Sequence, residues 1–209
     1  MKKCLIMLTS VSLLATTGCE QAEKAKESYS AISQLSKAGE SMEATMDQAK
    51  TQRTAREKRG DTLSLPYQEL QQYLPTAVSG YTAGELSGQS QKMSGMSFSM
   101  ADREFTAGES TVKVSLIDYN GADEMYQGLS AIYSMGLEQE NDEKVLGPTT
   151  LKIDGVSGME TFYKKEGRAE LSLALNGRFL LNLTATNQKD LALLKSVAED
   201  MDLKKLAKL

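Results

Sequence analysis

Residues 168–186, RAELSLALNGRFLLNLTAT, decide how this chain folds. Two apolar runs flank Asn176-Gly177, and such a pair between alternating runs marks an antiparallel hairpin. A two-residue turn at Asn176-Gly177 pairs Leu173 with Leu180 and splits the apolar side chains between two faces. A three-residue loop, Leu175-Asn176-Gly177, pairs Leu173 with Phe179, Leu171 with Leu181 and Ala169 with Leu183. All six then share one face, with Glu170, Ser172, Arg178, Leu180, Asn182 and Thr184 opposite. A one-residue slip moves every side chain across the sheet, so burial of one face favours the second register, with Gly177 in the left-handed region. Strands at about 168–174 and 178–186 follow.

Outward from this hairpin the same alternation predicts strands at about 145–153 and 156–164, and earlier at 81–87, 95–105 and 111–119. Val112, Val114 and Leu116 alternate there with Lys113 and Ser115. Asp118-Tyr119-Asn120-Gly121 reads as a turn whose Asn120 caps a helix running to Met135. Met125, Leu129, Ile132 and Met135 form the stripe expected to be buried, and Gly136 closes it. Pro66 opens a short helix to Tyr73 that Pro75 stops, and Asn187 and Asp190 open a C-terminal helix with Leu191, Leu194, Val197, Ala198 and Met201 on one face. The order helix, three strands, helix, four strands, helix specifies an α+β domain. Its largely antiparallel sheet of about seven strands packs with two or three helices. Residues 63–209 suffice for one good core. The element order resembles the PsbP-like (DcrB-like) α/β sandwich. That resemblance covers 63–209, rests on no specific motif, implies a binding or assembly role without catalysis, and carries over no functional residue.

The N-terminus reads MKKCLIMLTSVSLLATTGC over residues 1–19. Lys2 and Lys3 precede an apolar run too short to span a bilayer, and small residues lead to Gly18-Cys19. This resembles a bacterial lipoprotein signal peptide with the lipobox-like Thr16-Thr17-Gly18-Cys19, Thr16 standing where Leu, Val or Ile is usual. The resemblance implies cleavage before Cys19 and its acylation, palmitate-type chains included, so that the chain is held in the cell envelope by lipid. Glu20, rather than Asp, after the lipidated residue points to the periplasmic face of the outer membrane in a Gram-negative cell. The expected division is therefore 1–18 signal peptide, 19–62 tether, and 63–209 globular domain. Residues 20–60 lack proline and carry a thin stripe of Ala22, Ala25, Tyr29, Ile32, Leu35, Met42, Met46 and Ala49. They read as a helical or disordered tether, frayed at TQRTAREKRG and dispensable for folding.

Composition narrows the chemistry. The chain has no histidine and no tryptophan, and its two cysteines are Cys4 and Cys19. Histidine-based nucleophilic and acid–base catalysis and ordinary zinc sites are thereby excluded. Removing Lys2 and Lys3 from the 24 basic side chains leaves 22 against 28 acidic ones, a net charge of −6 that disfavours nucleic acid. Met93, Met96 and Met100, in QKMSGMSFSM, are candidate ligands for a soft metal such as Cu(I). Met96 and Met100 also share a strand face with Phe98, and core packing is the favoured reading. Asp102, Glu104 and Asp118 read as a solvated strand face rather than an acid–base pair. The run Glu138–Lys144 is an acidic loop without calcium-ligand spacing, and Gly155-Val156-Ser157-Gly158 is a turn rather than a phosphate loop. Ser33 and Lys37 could supply Ser-Lys catalysis by type but lie in the tether. The sequence thus predicts a non-catalytic, lipid-anchored envelope protein with a ligand- or protein-binding domain and no cofactor. The alternatives are copper handling through the three methionines and, more weakly, a hydrolase without histidine or cysteine.

Overall fold

The computed structural model describes residues 18–209. The chain divides into two compact units, one ending at Lys37 and the other running from Ala38 to Leu209. The signal segment through Thr17 lies outside the described residues, and Cys19 is described only as backbone within α1 (Gly18–Lys58). That helix is 41 residues long, without proline and rich in Ala, Glu, Lys and Gln, as helix propensity requires. Its end is a Schellman motif: Gly60 adopts φ 78°, its N–H reaches Glu57 O, and the Asp61 N–H reaches Arg56 O.

α2 (Tyr67–Leu70) runs into a 3-10 turn at Gln71–Tyr73, within the expected 66–73 span. The sheet has eight strands, all paired antiparallel: β1 (Thr82–Met93), β2 (Met96–Ala107), β3 (Ser110–Gly121), β4 (Gln139–Glu140), β5 (Lys144–Pro148), β6 (Val156–Tyr163), β7 (Arg168–Leu175) and β8 (Phe179–Ala185). Their order is β1-β2-β3-β8-β7-β6-β5-β4. α3 (Asp123–Ser134) links the two meanders, and α4 (Ala192–Asp200) and α5 (Leu203–Leu206) follow β8. The α+β class with an antiparallel sheet holds.

Several details differ from the sequence reading. The domain unit begins at Ala38, not Leu63, because the second half of α1 packs on the sheet through Ala49 and Arg56. β1 extends to Met93, since Ser94 and Gly95 both take positive φ and form the turn to β2. The expected strand at 145–153 ends at Pro148, beyond which Glu160 captures the Thr150 N–H and both threonine hydroxyls of Thr149-Thr150. Two residues of the acidic loop form β4.

The β7–β8 hairpin keeps Ala169, Leu171, Leu173, Phe179, Leu181 and Leu183 on one buried face, as predicted, but shifts the partners by two. Leu175 pairs with Phe179, Leu173 with Leu181 and Leu171 with Leu183, so the loop is Asn176-Gly177-Arg178. Asn176 and Gly177 both lie at positive φ, 51° and 63°, and the Arg178 N–H closes the turn on Leu175 O. This register buries Leu175 as well and leaves Arg178 as the extra residue.

The main core lies on the face of β2, β3, β8 and β7 that carries Phe105, Val114, Leu116, Leu173 and Leu181, covered by α2, α4 and α5. A smaller cluster on the other face joins Tyr119, Ala122, Tyr126, Ala174 and Leu180 to Ala49 of α1. The stripe expected to bury α3 is wrong: Met125, Leu129, Ile132 and Met135 are 40–50% exposed, and Tyr126 and Ser130 face inward. Tyr126 matches the small Ala49–Ala174 contact surface and brings a phenol to the turn, which the methionine stripe could not.

Candidate functional site

The end of α1 is fastened to the sheet by polar groups. Arg56, 1% exposed, donates from Nε to Asn120 Oδ1 at 2.8 Å, from Nη1 to Asn176 O at 3.1 Å and from Nη2 to Gly177 O at 2.9 Å. The left-handed turn exposes both carbonyls, and a planar guanidinium fork is suited to take them together. Burial, then repulsion from Arg178 and Arg53, pulls the Arg56 pKa below its ordinary value, partly offset by Asp123 and Asp61. Arg53 donates to Asn120 O, and Asn120 Nδ2 donates to Asp61 Oδ1 at 2.7 Å and Leu63 O at 3.0 Å. Arg178 is gripped by Asp118, Nε to Oδ1 at 2.9 Å and Nη2 to Oδ2 at 2.7 Å, and by Asp61 at 2.9 Å. Asn120 is thus the hub of a buried clasp inside β3, not the cap of α3, whose N-cap position is Ala122.

Beneath α1 lies a groove. One part, about 190 Å³, is lined by Thr45, Gln48, Gln52, Tyr126, Ser157 and Gly177. A second, about 520 Å³, continues past Ser41, Thr45, Tyr133, Ser134, Lys152 and Asp154. Thr45, Val156 and Ser157 border both. One wall is therefore Ser41, Thr45, Gln48 and Gln52, spaced four, three and four along α1 so as to share one helix face. α1 packs on the domain through Ala49 and Arg56, and this flanking row of hydroxyls and amides borders the groove, with Ser41 and Gln48 exposed. The opposite wall is α3, and the floor is the start of β6 with the Asn176-Gly177 turn. Gly177 is required for this closeness, since a Cβ there would lie 2.9 Å from Ala49 Cα and the backbone φ is 63°. Burial pushes the Tyr126 phenol well above its ordinary pKa, against a weaker opposing effect of the nearby Gly177 backbone N–H. It therefore enters the groove as a neutral hydroxyl.

The residues singled out by sequence are scattered. Met93 is 70% exposed and Met96 38%, paired across the Ser94-Gly95 turn, while Met100 is half-buried and pairs with Gln89. Met96, Phe98 and Met100 do share a face, but the buried side of β2 is Ser97, Ser99 and Ala101, so the main-core packing expected for the methionines fails. Four residues of extended strand put Met100 roughly 13 Å from Met96, too far for the three sulfurs to close on one ion. Asp118 is fully buried against Arg178, Asp102 faces Lys113 at 3.9 Å, and Glu104 is exposed. They form no carboxylate cluster. Ser33 and Lys37 are described only as helix backbone. Glu160 is a buried carboxylate missed in the sequence, held by Lys195 Nζ at 2.8 Å and by Thr149 and Thr150. Lys195 and Glu160 neutralise each other there. Among the described residues no group of three or more His, Cys, Asp and Glu side chains is placed to hold a metal ion. No family model, no curated protein and no solved structure matches the chain.

Proposed function

We propose that this chain is a lipid-anchored envelope protein whose unit 38–209 acts as a binding module, with the groove between α1 and α3 as its binding site. One observation carries the reading. The flank of α1 beside Ala49 is a row of hydrogen-bonding side chains, Ser41, Thr45, Gln48 and Gln52, bordering open volume. The buried ions Arg56, Arg178, Asp118 and Glu160 are already partnered within the fold, which suits a scaffold rather than reaction machinery. Cover on both faces of the sheet is consistent with the PsbP-like likeness and its binding role. Anchoring rests on the signal-like residues 1–19. Cys19→Ala is expected to end acyl labelling and to move the protein from the membrane to the soluble fraction. Undiminished membrane retention in that variant would reject the anchor. Copper handling survives only as a two-sulfur surface contact at Met93 and Met96.

A further inference from the structure

We infer that the groove takes a neutral saccharide, and that an N-acetylated glycan segment is the ligand class it fits. This rests on the proposal that the groove is the binding site. Of the groove side chains that can carry charge, Lys152 and Asp154 are opposite in sign and sit together at one end, so nothing there selects an anion or a cation. The remaining polar groups are hydroxyls and amides: Ser41, Gln48, Gln52, Tyr133, Ser134 and Ser157. Hydroxyls donate and accept at once, as sugar hydroxyls do, and glutamine amides match an acetamido group in the same way. Tyr126, in the first turn of α3, adds a neutral phenol beside the Gly177 turn.

The floor argues against an extended peptide. A peptide bound beside a sheet gains affinity by adding to a free strand edge. Here β7 and β8 are paired on both sides. β6 has no β5 partner over Val156–Gly158, but the Val156 N–H is bonded to Ile153 O and the Gly158 carbonyl accepts from the Thr149 N–H, so the edge left at the groove is too short and too occupied to take an extended strand. Recognition must come from side chains of the two helices, and those suit sugar hydroxyls. The half-buried Tyr133 ring, packed on the small cluster, supplies the apolar surface on which sugar C–H faces rest. The 520 Å³ part has the size of a small-ligand cleft.

Binding is tested with the full acylated chain in detergent, titrated calorimetrically with N,N′,N″-triacetylchitotriose. The expected result is saturable binding with a dissociation constant of about 1 mM or tighter. Gln48→Ala, at the open rim of the groove, and Tyr133→Phe, which keeps the ring, should each weaken it about tenfold with an unchanged circular dichroism spectrum. The same cells receive the uncharged peptide acetyl-trialanine amide. Binding of the peptide without the trisaccharide overturns the saccharide assignment and leaves the binding-module reading standing. Binding of neither overturns both. Trisaccharide binding that ignores both substitutions places it outside the groove and also overturns the inference.

Discussion

At the scale of single residues, Arg56 carries more of this fold than its place in a charged, frayed-looking stretch announces. It satisfies three acceptors, the buried Asn120 Oδ1 and Gly177 O and the half-buried Asn176 O. Removing a donor from buried acceptors costs about 1–3 kcal/mol per group, with partial relief where water enters. Arg56→Ala should therefore lower stability by about 3 kcal/mol, read as a fall in the urea midpoint. Arg56→Lys should recover little of this, because one ammonium cannot span the fork. An unchanged midpoint in Arg56→Ala would show that the clasp is dispensable. The sequence offered a partial sign: Ala49, Arg53 and Arg56 share one helix face, and Gly60 closes the helix just beyond. It offered no sign of the partners, which lie 64 to 121 positions away.

At the scale of elements, α1 and α3 are where expectation and structure part. Residues 38–58 of α1 have few large apolar side chains, and hydrophobic patterning alone marks them as a tether. They are fastened instead by the clasp, by Ala49 against Gly177, and by the Schellman end that sets Asp61 beside Arg178 and Asn120. The two truncations separate these views. A chain starting at Ala38 should unfold like the full chain, whereas one starting at Asp61 should lose about 3 kcal/mol or more, because it lacks Arg56. Equal midpoints for the two would restore the tether reading. α3 shows the converse error. Its methionine–leucine stripe has the period of a buried face, yet the inward face is Tyr126 and Ser130, selected by the shallow surface of Ala174, Leu180 and Ala49.

At the scale of the whole molecule, the sheet's second face is held largely by polar and ionic groups, while the first is held by packing. Glu160 links β6 to α4 on the well-packed side through Lys195. Burial by itself raises the Glu160 pKa, but the bonds from Lys195, the Thr150 N–H and Thr149 outweigh it, so the net direction is down. A carboxylate whose folded pKa is depressed adds stability above its unfolded pKa, and that stability is lost as pH falls through the folded value. Glu160→Gln should thus be less stable than the parent at neutral pH, and the two urea midpoints should converge as the pH falls below the ordinary glutamate range. Midpoints separated by a constant gap across that range would assign the effect to packing rather than charge.

The sequence by itself determined the order of the seven longer strands with the helices before, between and after them, the antiparallel sheet and the apolar face of the β7–β8 hairpin, because period-two alternation and turn residues are local signals that burial then enforces. It also supplied the signal-like N-terminus. Only the tertiary structure decided the hairpin's partners, since Leu175 joins the strand when a core is there to bury it and Arg178 bulges when Asp118 and Asp61 are there to receive it. Only the tertiary structure placed the clasp and the groove. Both are built from polar side chains brought together from distant segments. Polar residues carry no periodicity that distinguishes a solvated face from one that meets a partner across the fold.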